Sequence, residues 1–405
     1  MAAMSARHDV VIVGGGLVGA SLAIALDRLG RDVALIEATP PGQVPAVFDQ
    51  RNLSLAAATV NALTALGVLQ RLQAPTGPIR RIHVSRAGDF GRVLLRASDY
   101  GRSEFGQVVV ARDFGVALEA ALADCRHLTR YRPASFLGLA HDRDGLRQVR
   151  IDSGAGEIEL TTPLLVGADG SHSAVRAALG IGAQRHDYGQ RLLVARVRTA
   201  RAPDGTAWER LGQAGPTALL PRGDRHHGLV HGVPEARADA MAALDEAAWL
   251  AHAQAAFGWR AGRFLASGPR STYPIVKVLA ERVIAPRALL LGNAAQTLHP
   301  LGAQGFNLGL RDALTLAELI AAAGDPGSDA LLAEYLQRRA PDRQRTLRFS
   351  DGLARLTSNN APLLRPLRSV GLLAAGNLPA LQSMLVGGAM GFAGDVPALC
   401  RQVAA

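Results

Sequence analysis

The chain opens with a strand–turn–helix–strand pattern that restricts it to few folds. The β-branched run Asp9–Val13 precedes a glycine-rich turn, Leu17–Leu29 has the apolar spacing of a helix, and Asp32–Ile36 is a second apolar run. Two short apolar runs joined by one helix are typical of parallel strands that are buried on both faces. The sequence therefore predicts a βαβ unit at the start of an α/β fold.

The turn between the first strand and the helix carries the pattern GxGxxG. Its glycines are Gly14, Gly16 and Gly19, and Glu37 follows 18 residues after the last of them. Gly14 permits a tight turn, Gly16 lets the backbone approach a pyrophosphate, and Gly19 lets the helix pack closely. The N–H groups of the helix start attract phosphate, and a carboxylate at Glu37 can accept ribose hydroxyls. The pattern predicts a dinucleotide site.

A second strand ending in small residues lies at Leu164–Arg176, and it delivers Asp169 next to Gly170. A carboxylate beside glycines at a strand end suits the recognition of a hydroxyl group. The same carboxylate could instead cap the next helix, a role worth about 1 kcal/mol, and both roles can coexist.

A third such strand end lies at Leu290–Ala313, where Gly292 and Asn293 follow an apolar run. The asparagine amide can hydrogen-bond a polyol or a phosphate. A helix is predicted over residues 306–322, and its N–H groups would point back into the loop at 302–305. An anionic ring system laid against that loop would be stabilised.

Composition narrows the class of protein. The chain has 405 residues, 48% of them hydrophobic, which predicts two domains or one elaborate domain. The two cysteines, Cys125 and Cys400, form no CxxC pair and no disulfide framework, and the eleven histidines show no metal-binding spacing, so no metal site is predicted. The first residues lack the pattern of a signal peptide. We expect a protein of the cytoplasm.

The net charge of +10 comes almost wholly from arginine, because Lys277 is the only lysine. The excess indicates either solvated arginines or a partner such as anionic lipid or phosphate. The arginines are dispersed and no aromatic residues are interleaved with them, which argues against nucleic acid.

The order of the predicted elements indicates how the chain is divided. Predicted βα elements at both ends flank a strand-rich middle, so we predict a Rossmann-like nucleotide-binding domain with a sheet-rich domain inserted into it. The nucleotide-binding domain is assigned residues 1–80, 103–182 and 276–345, the inserted substrate domain residues 81–102 and 183–275, and a C-terminal helical region residues 346–405.

The three strand ends, in this order, resemble the FAD-dependent aromatic hydroxylases of the p-hydroxybenzoate hydroxylase fold. Three further segments resemble that family: Phe48–Leu55 and Gly106–Phe114 match segments beside the cofactor, and Gly215–Asp224 matches a segment lining the ring pocket. The resemblance, with the motifs above, implies that FAD is bound by Gly14, Gly16, Gly19, Glu37, Arg51, Gln107, Arg112, Asp169, Gly292, Asn293, Pro300, Gly302, Gln304, Gly305 and Asn307. Asn293 departs from the acidic residue usual in the family.

Within that family the segment Gly292–Ala313 is most similar to the ubiquinone-biosynthesis branch, of the 2-octaprenyl-6-methoxyphenol hydroxylase (UbiH/UbiF-like) type. The resemblance implies hydroxylation of a polyprenylated phenol by a flavin C4a-hydroperoxide, with O2 as co-substrate and NAD(P)H as electron donor. It points to no acid or base residue, and the sequence leaves the catalytic residues unknown. Two alternatives stay open: a hydroxylase of a small soluble aromatic acid, and a non-catalytic FAD-binding scaffold of a biosynthetic complex.

The tail combines an uncharged stretch, Ser369–Gly394, with an upstream arginine cluster at 338, 339, 343, 345 and 348. Proline, glycine and polar residues interrupt the stretch, which disfavours a spanning helix. Basic residues beside a broken apolar segment suit docking on a membrane surface, here the inner membrane face. A subdomain packed on the FAD domain, or a surface for other ubiquinone-biosynthesis proteins, would give the same pattern.

Overall fold

The computed structural model describes residues 6–43, 45–46, 48–140, 145–212, 215–358 and 365–401. The β-strands, in chain order, are Ala6–Arg7 (β1), Val10–Val13 (β2), Val33–Ile36 (β3), Asn52–Ala56 (β4), Gly77–Ile79 (β5), Arg81–Arg86 (β6), Arg92–Arg96 (β7), Gly106–Val110 (β8), Leu128–Tyr131 (β9), Ser135–Leu139 (β10), Arg147–Asp152 (β11), Glu157–Thr162 (β12), Leu164–Gly167 (β13), Ala183–Thr199 (β14), Thr206–Leu211 (β15), Pro216–Pro221 (β16), His227–Pro234 (β17), Phe264–Ser267 (β18), Ser271–Ala280 (β19), Ile284–Ala285 (β20), Ala288–Leu290 (β21) and Gln296–Thr297 (β22).

The α-helices, in the same order, are Leu17–Asp27 (α1), Ala57–Ala65 (α2), Ala111–Ala123 (α3), Ala174–Ala178 (α4), Glu235–Ala242 (α5), Glu246–Phe257 (α6), Gln304–Ala322 (α7), Asp329–Ser358 (α8), Arg365–Asn377 (α9), Pro379–Met390 (α10) and Ala398–Arg401 (α11). Short 3-10 turns lie at Leu69–Arg71, Ala97–Tyr100 and Gly292–Ala294.

A six-stranded sheet forms the centre of the main core. Its order is β20-β21-β13-β2-β3-β9, and all neighbours are parallel except the edge pair β20–β21. The residues of β2, β3 and β13 are buried throughout, because helices cover both faces of a parallel sheet. The predicted βαβ unit and the α/β fold class are confirmed.

A nine-stranded sheet contains the main path β22-β19-β14-β17-β16-β15-β6-β7, with β18 paired to β14. One face, called here the α6 face, packs its apolar residues on the aromatic rings of Trp249 and Phe257 in α6. The opposite face, called here the β4 face, turns toward strand β4 and the helices α9 and α10. Successive residues of a strand alternate between the two faces.

Strand β4 belongs to a three-stranded sheet of order β4-β8-β5. Residues 54–69 have the apolar spacing of a helix, but Ser54, Leu55 and Ala56 lie in β4. Their backbone groups pair with Gly106–Val110 of β8, a partner about fifty residues away that local spacing cannot reveal. A fourth sheet, β1-β12-β11-β10, lies at the edge of the main core.

The arginine cluster in α8 is mainly an internal ion-pair network rather than a free basic surface. Arg339 is 2% exposed and bonds Asp312 and Asp342, while Arg338 pairs with Glu318 and Asp395. The exposed side chain in the cluster is Arg348. Most of the arginine charge that was expected to face a membrane is therefore neutralised by ion pairs within the protein.

The tail is helical, as predicted, and α9 and α10 meet at a sharp bend. In the part of the chain that is described, no single helix is long and apolar enough to cross a membrane. The segments Pro366–Asn377 and Pro379–Met390 pass that test only as a pair, which is bent by 82°.

Candidate functional site

The predicted strand ends converge on one edge of the six-stranded sheet. Strands β21, β13, β2 and β3 are neighbours, so the residues that follow them share the carboxyl edge. Three backbone hydrogen bonds continue the ladder past the strand ends: Leu291 N–H to Gly167 O (2.8 Å), Ala168 N–H to Val13 O (2.8 Å) and Gly14 N–H to Ile36 O (2.9 Å). Ligands of open α/β sheets bind in the crevice at this edge.

The glycines of the first turn leave no room for side chains. Gly14 has φ 106°, and a Cβ there would lie 2.5 Å from Ala168 O. A Cβ on Gly19 would lie 2.0 Å from Gly14 O, so helix α1 packs directly on the turn. Gly16 is the N-cap of α1, which has no side-chain cap and no acidic residue in its first turn. Its first N–H groups are therefore free for an anion.

The carboxylate of Glu37 is held in place by backbone. Its Oε2 accepts a hydrogen bond from Gly15 N–H at 2.8 Å, and its Oε1 accepts one from Thr39 N–H at 2.7 Å. Each carboxylate oxygen can accept more than one hydrogen bond, so both retain capacity for a hydroxyl donor.

Asp169 also lies at this edge, with one oxygen bonded and the other without a partner. Its Oδ2 accepts a hydrogen bond from Val175 N–H at 3.1 Å. Its Oδ1 is buried and has no hydrogen-bond partner among the described residues. Ser173 is the N-cap residue of α4, and its hydroxyl accepts from Arg176 N–H, so the helix-capping role considered for Asp169 is shared between Ser173 and Asp169 Oδ2. An orphaned acceptor here fits a ligand hydroxyl.

Arg176 ties two of the three loops together, a role that the sequence did not reveal. Its guanidinium donates to Ala294 O and to Ser171 O, both at 2.9 Å. The loop after β21 is thereby fixed against the loop after β13.

The loop after β21 bends tightly around helix α1. Gly292 has φ 55°, and a Cβ on Gly309 would lie 2.8 Å from the Val18 side chain. The side chain of Asn293 is exposed at this point. Close packing of α7 on α1 thus positions the loop.

The segment before α7 uses two consecutive left-handed residues, Gly302 (φ 75°) and Ala303 (φ 50°). The helix begins at Gln304, two residues earlier than predicted, and it has no side-chain cap. Gln304 donates from Nε2 to Gly302 O at 3.0 Å, and Pro300 is exposed. The strained loop and the open helix start together present N–H groups to the crevice.

Asn307 is 2% exposed, and its amide bonds only backbone groups. Its Oδ1 accepts from Ala56 N–H at 2.9 Å, and its Nδ2 donates to Ser54 O (2.9 Å) and Ala303 O (2.8 Å). The side chain therefore locks the start of α7 onto β4. In this position it can place the loop rather than contact a ligand through its own amide.

Arg51 belongs to a cluster that the sequence predicted only in part. Its guanidinium lies 4.4 Å from the ring centroid of Tyr273 and bonds Asp49 through Nε at 3.0 Å. The Tyr273 hydroxyl donates to Asp49 Oδ2 at 2.7 Å, so three side chains fix one another. Neither Asp49 nor Tyr273 carries a signal that sequence reasoning could have used.

The remaining predicted contacts lie on β8 and α3. Gln107 donates from Nε2 to Glu104 Oε1 at 2.7 Å. Arg112 exposes its side chain, while its backbone N–H donates to Asp49 O at 2.8 Å. Gly305 lies in the first turn of α7, where a Cβ would meet no atom within 4 Å.

His299 precedes Pro300 in the same loop and is 3% exposed. Its Nδ1 accepts from Leu301 N–H at 3.2 Å, and its ring lies edge-on to Tyr188 at 4.7 Å. Burial lowers the pKa of His299 to about 4, although the nearby Asp351 opposes the shift. A neutral imidazole with a structural role fits this geometry.

These features together fit FAD. The uncapped start of α1 suits the pyrophosphate, the orphaned Asp169 Oδ1 suits a hydroxyl of the cofactor, and the uncapped start of α7 suits the electron-rich edge of a flavin ring. The second large sheet faces the same crevice, as expected of an enzyme that brings a substrate to a flavin. The fold and site thus define a flavoprotein monooxygenase.

Known proteins agree with that class. The structure resembles p-nitrophenol 4-monooxygenase PnpA of Pseudomonas putida with a TM-score of 0.78 at 18% identity, covering 99% of this chain and 100% of that one, which shows the fold. The sequence model of the FAD binding domain family matches residues 7–350, and the chain belongs to that family. It is an FAD-dependent monooxygenase.

Two characterised relatives cover nearly the whole chain. Ubiquinone hydroxylase UbiL of Rhodospirillum rubrum is 34% identical over 95% of this chain and 89% of its own length. The 3-demethoxyubiquinol 3-hydroxylase of Escherichia coli is 32% identical over 91% of this chain and 94% of its own length. The family predicted from the sequence is confirmed.

Proposed function

We propose that this enzyme hydroxylates the ring of a polyprenylated phenol in ubiquinone biosynthesis. The observation that carries the proposal is the 34% identity to a ubiquinone hydroxylase over 95% of the chain. A second hydroxylase of the same pathway is 32% identical. The apolar β4 face of the large sheet, which turns toward the FAD site, suits an apolar ring substrate.

Each part of the chain has a defined task in this reaction. FAD, when bound, supplies the electrons and the activated oxygen. The first turn and Glu37 would hold the adenosine and pyrophosphate end, and Asp169 would hold a hydroxyl of the linker. Gly292, Asn293 and Pro300 to Asn307 would position the flavin ring, with Arg51, Gln107 and Arg112 at its flank. The apolar face excludes water from the reacting ring.

NAD(P)H is the proposed electron donor. The chain carries one convincing GxGxxG, at Gly14–Gly19, and that turn belongs to FAD. The nicotinamide nucleotide would therefore dock transiently without a Rossmann domain of its own. Rapid mixing of the enzyme with NADH or NADPH under anaerobic conditions should bleach the flavin absorbance, and a flavin that stays oxidised with both would contradict this donor.

We further propose that α9 and α10 dock on the inner membrane face, where a polyprenylated substrate resides. Leu367 is 69%, Val370 61% and Met384 65% exposed, an unusual set of large apolar side chains on one pair of helices. Sedimentation with vesicles of anionic phospholipid should co-precipitate the protein. The double substitution Leu367→Gln and Met384→Gln should reduce that binding, and equal binding by both proteins would contradict the dock.

The function itself is tested by deleting the gene and measuring the quinone pool. The expected result is loss of ubiquinone with accumulation of a phenolic precursor that lacks one ring hydroxyl. Purified enzyme with FAD, NAD(P)H and O2 should convert that precursor to a product heavier by one oxygen atom. A normal quinone pool after deletion would contradict the assignment.

A further inference from the structure

One carboxylate lies on the β4 face of the nine-stranded sheet, and its nearest neighbours there are apolar. Glu209 of β15 is in register with Val84 of β6 and with Ala218 of β16. Ala207 and Leu211, two positions away on the same strand, share its face. None of these four neighbours can donate a hydrogen bond from its side chain.

In the described part of the chain, the Glu209 carboxylate lacks the hydrogen-bond donor and the opposite charge that normally stabilise a buried carboxylate. Glu209 Oε1 is buried and has no hydrogen-bond partner among the described residues. Burial raises the pKa of Glu209 to about 7, and no charged neighbour contributes to the shift. Buried polar atoms in native proteins are almost always bonded, so Oε1 retains the capacity to accept a hydrogen bond from a bound molecule.

The face that carries Glu209 extends to the FAD site. Gly228 of β17 abuts β4, because a Cβ there would lie 2.0 Å from the amide of Asn52. Strands β17 and β15 are separated by β16, and Glu209 is in register with Val230, two residues from Gly228, so Glu209 lies roughly 12 Å from that contact at about 4.8 Å per strand and about 3.4 Å per residue. Farther along β4, Ser54 and Ala56 bond Asn307 at the start of α7.

Helix α10 closes the same face from the other side. Val386 and Met390, 5% and 4% exposed, pack in one apolar cluster with Ala207 of β15. Apolar side chains therefore cover Oε1 of Glu209, and a donor carried by an apolar molecule fits these surroundings.

Building on the proposed function, we propose that Glu209 accepts a hydrogen bond from the phenolic hydroxyl of the substrate. It thereby orients the ring and selects a neutral phenol over a ring that carries a carboxylate. A phenol supplies the missing donor, and its apolar ring matches the neighbours of Glu209. A ring carboxylate brought to this face would meet a second carboxylate in a medium of low polarity, where like charges repel strongly.

The test compares two ligands that differ only in a carboxylate: 2-geranylphenol and 3-geranyl-4-hydroxybenzoate. Each is titrated into the FAD-loaded enzyme at pH 8, and binding is followed by the change in the flavin absorbance spectrum. The wild type should bind the phenol more tightly. In Glu209→Gln, phenol affinity should fall about tenfold, as expected for loss of a charge-assisted hydrogen bond, and affinity for the acid should rise.

The matched control is Glu157→Gln, whose side chain is 67% exposed on β12 in another sheet. It should leave both affinities unchanged. Glu209→Asp keeps the charge but withdraws it by one methylene, so it should retain the preference for the phenol with weaker binding. This variant carries the test if the glutamine variant does not fold.

Two negative results have separate meanings. If the wild type binds and hydroxylates the phenol, and Glu209→Gln keeps the wild-type affinities, the role of Glu209 is wrong while the proposed function stands. If the wild type binds neither ligand, the proposed function fails, and the role of Glu209 fails with it.

Discussion

Two buried regions of this enzyme solve the same packing problem in opposite ways. At the carboxyl edge of the six-stranded sheet, glycines bring backbone to within contact distance of backbone, and the polar groups are left open for a ligand. At the α7–α8 interface, the polar groups are charged side chains that pair with one another: Arg311 and Asp342 pair at 2.7 Å, and each side chain is 2% exposed. The first region leaves a carboxylate oxygen open for a ligand, whereas in the second every carboxylate is paired and, among the described residues, the Nη1 of Arg311 is the atom left over.

The two regions differ in whether their buried carboxylates have partners. At the sheet edge Asp169 Oδ1 has no partner in the described chain. At the interface Asp342 receives three guanidinium groups, from Arg311, Arg339 and Arg345. Burial by itself would raise the pKa of Asp342, but Arg311 and Arg339 outweigh it and hold that pKa below its usual value. A buried charge is therefore evidence of a site only where its partners are missing.

The largest effect is expected from adding one methyl group at the sheet edge. Gly19→Ala would place a Cβ 2.0 Å from a backbone oxygen that has no room to move. We expect purified protein without bound FAD, measured by the absorbance ratio at 450 and 280 nm. Gly324→Ala is the control, since a Cβ there meets no atom within 4 Å. Normal FAD content in Gly19→Ala would break the first half of the comparison.

The next effect concerns the α7–α8 network. Asp342→Ala leaves the buried Arg311 without its carboxylate and takes one of two carboxylates from Arg339, and we expect the free energy of unfolding in urea to fall by about 3–5 kcal/mol. Asp124→Asn removes a carboxylate that is 67% exposed in its pair with Arg71, and it should cost less than about 1 kcal/mol. Similar losses in both variants would show that the α7–α8 network is not a special source of stability.

The pH dependence of this network has a definite sign. The folded pKa of Asp342 is depressed, so its stabilisation is present above the unfolded pKa of about 3.9 and is lost as the pH falls through the folded value. Asp342→Ala should therefore show a weaker loss of stability in acid than the wild type. An unchanged acid profile would contradict the assignment.

Glu209 sharpens the comparison, because it is a buried carboxylate whose partners are missing. Its folded pKa of about 7 lies above the ordinary 4.5, so its stabilisation is present below the unfolded pKa and is lost as the pH rises through 7. In ligand-free enzyme, Glu209→Gln should unfold like the wild type at pH 5. At pH 8.5 it should be more stable by up to about 3 kcal/mol, at 1.4 kcal/mol per pKa unit. If Glu209→Gln and the wild type are equally stable at both pH 5 and pH 8.5, burial of the Glu209 carboxylate does not destabilise its charged form.

The smallest effect is expected at the rim of the α7–α8 interface. Glu318 pairs with Arg338, and their side chains are 28% and 22% exposed. Glu318→Gln should lower the free energy of unfolding by about 1 kcal/mol or less, since water and Asp395 compensate Arg338. Urea unfolding of Glu318→Gln and of Asp342→Ala, measured side by side, compares the two losses in free energy of unfolding. A loss for Glu318→Gln as large as that for Asp342→Ala would remove the distinction between the rim and the centre of the interface.

How well each region could be predicted from the sequence depends on how far apart in the chain its contacting residues lie. Gly14, Gly16 and Gly19 lie within six residues of one another, so their spacing, together with the strand before them and the helix after them, predicted a dinucleotide site. By contrast, Arg51 has its ring partner at Tyr273, and Asn307 bonds Ser54 and Ala56, more than 200 residues away. No local pattern records such pairings.

The arginines of α8 show the same limit. Their clustering suited a membrane dock and equally a subdomain packed on the FAD domain, because a sequence gives the number of charges without showing which groups face them. Asp312, Asp342 and Asp395 neutralise Arg338 and Arg339 in the folded chain. The basic character of the segment is consequently a property of the unfolded chain more than of the surface.

The sequence by itself predicted the α/β class and the glycine-rich turns at the sheet edge, because glycine spacing and apolar periodicity act through neighbours along the chain, and its combined motifs identified the family. Tertiary structure alone decided that β4 is a strand, that the arginines of α8 are buried in pairs, and that Glu209 is left unpaired on an apolar sheet face. Those outcomes depend on which distant groups meet, since burial converts a polar side chain into either a satisfied bond or an open site.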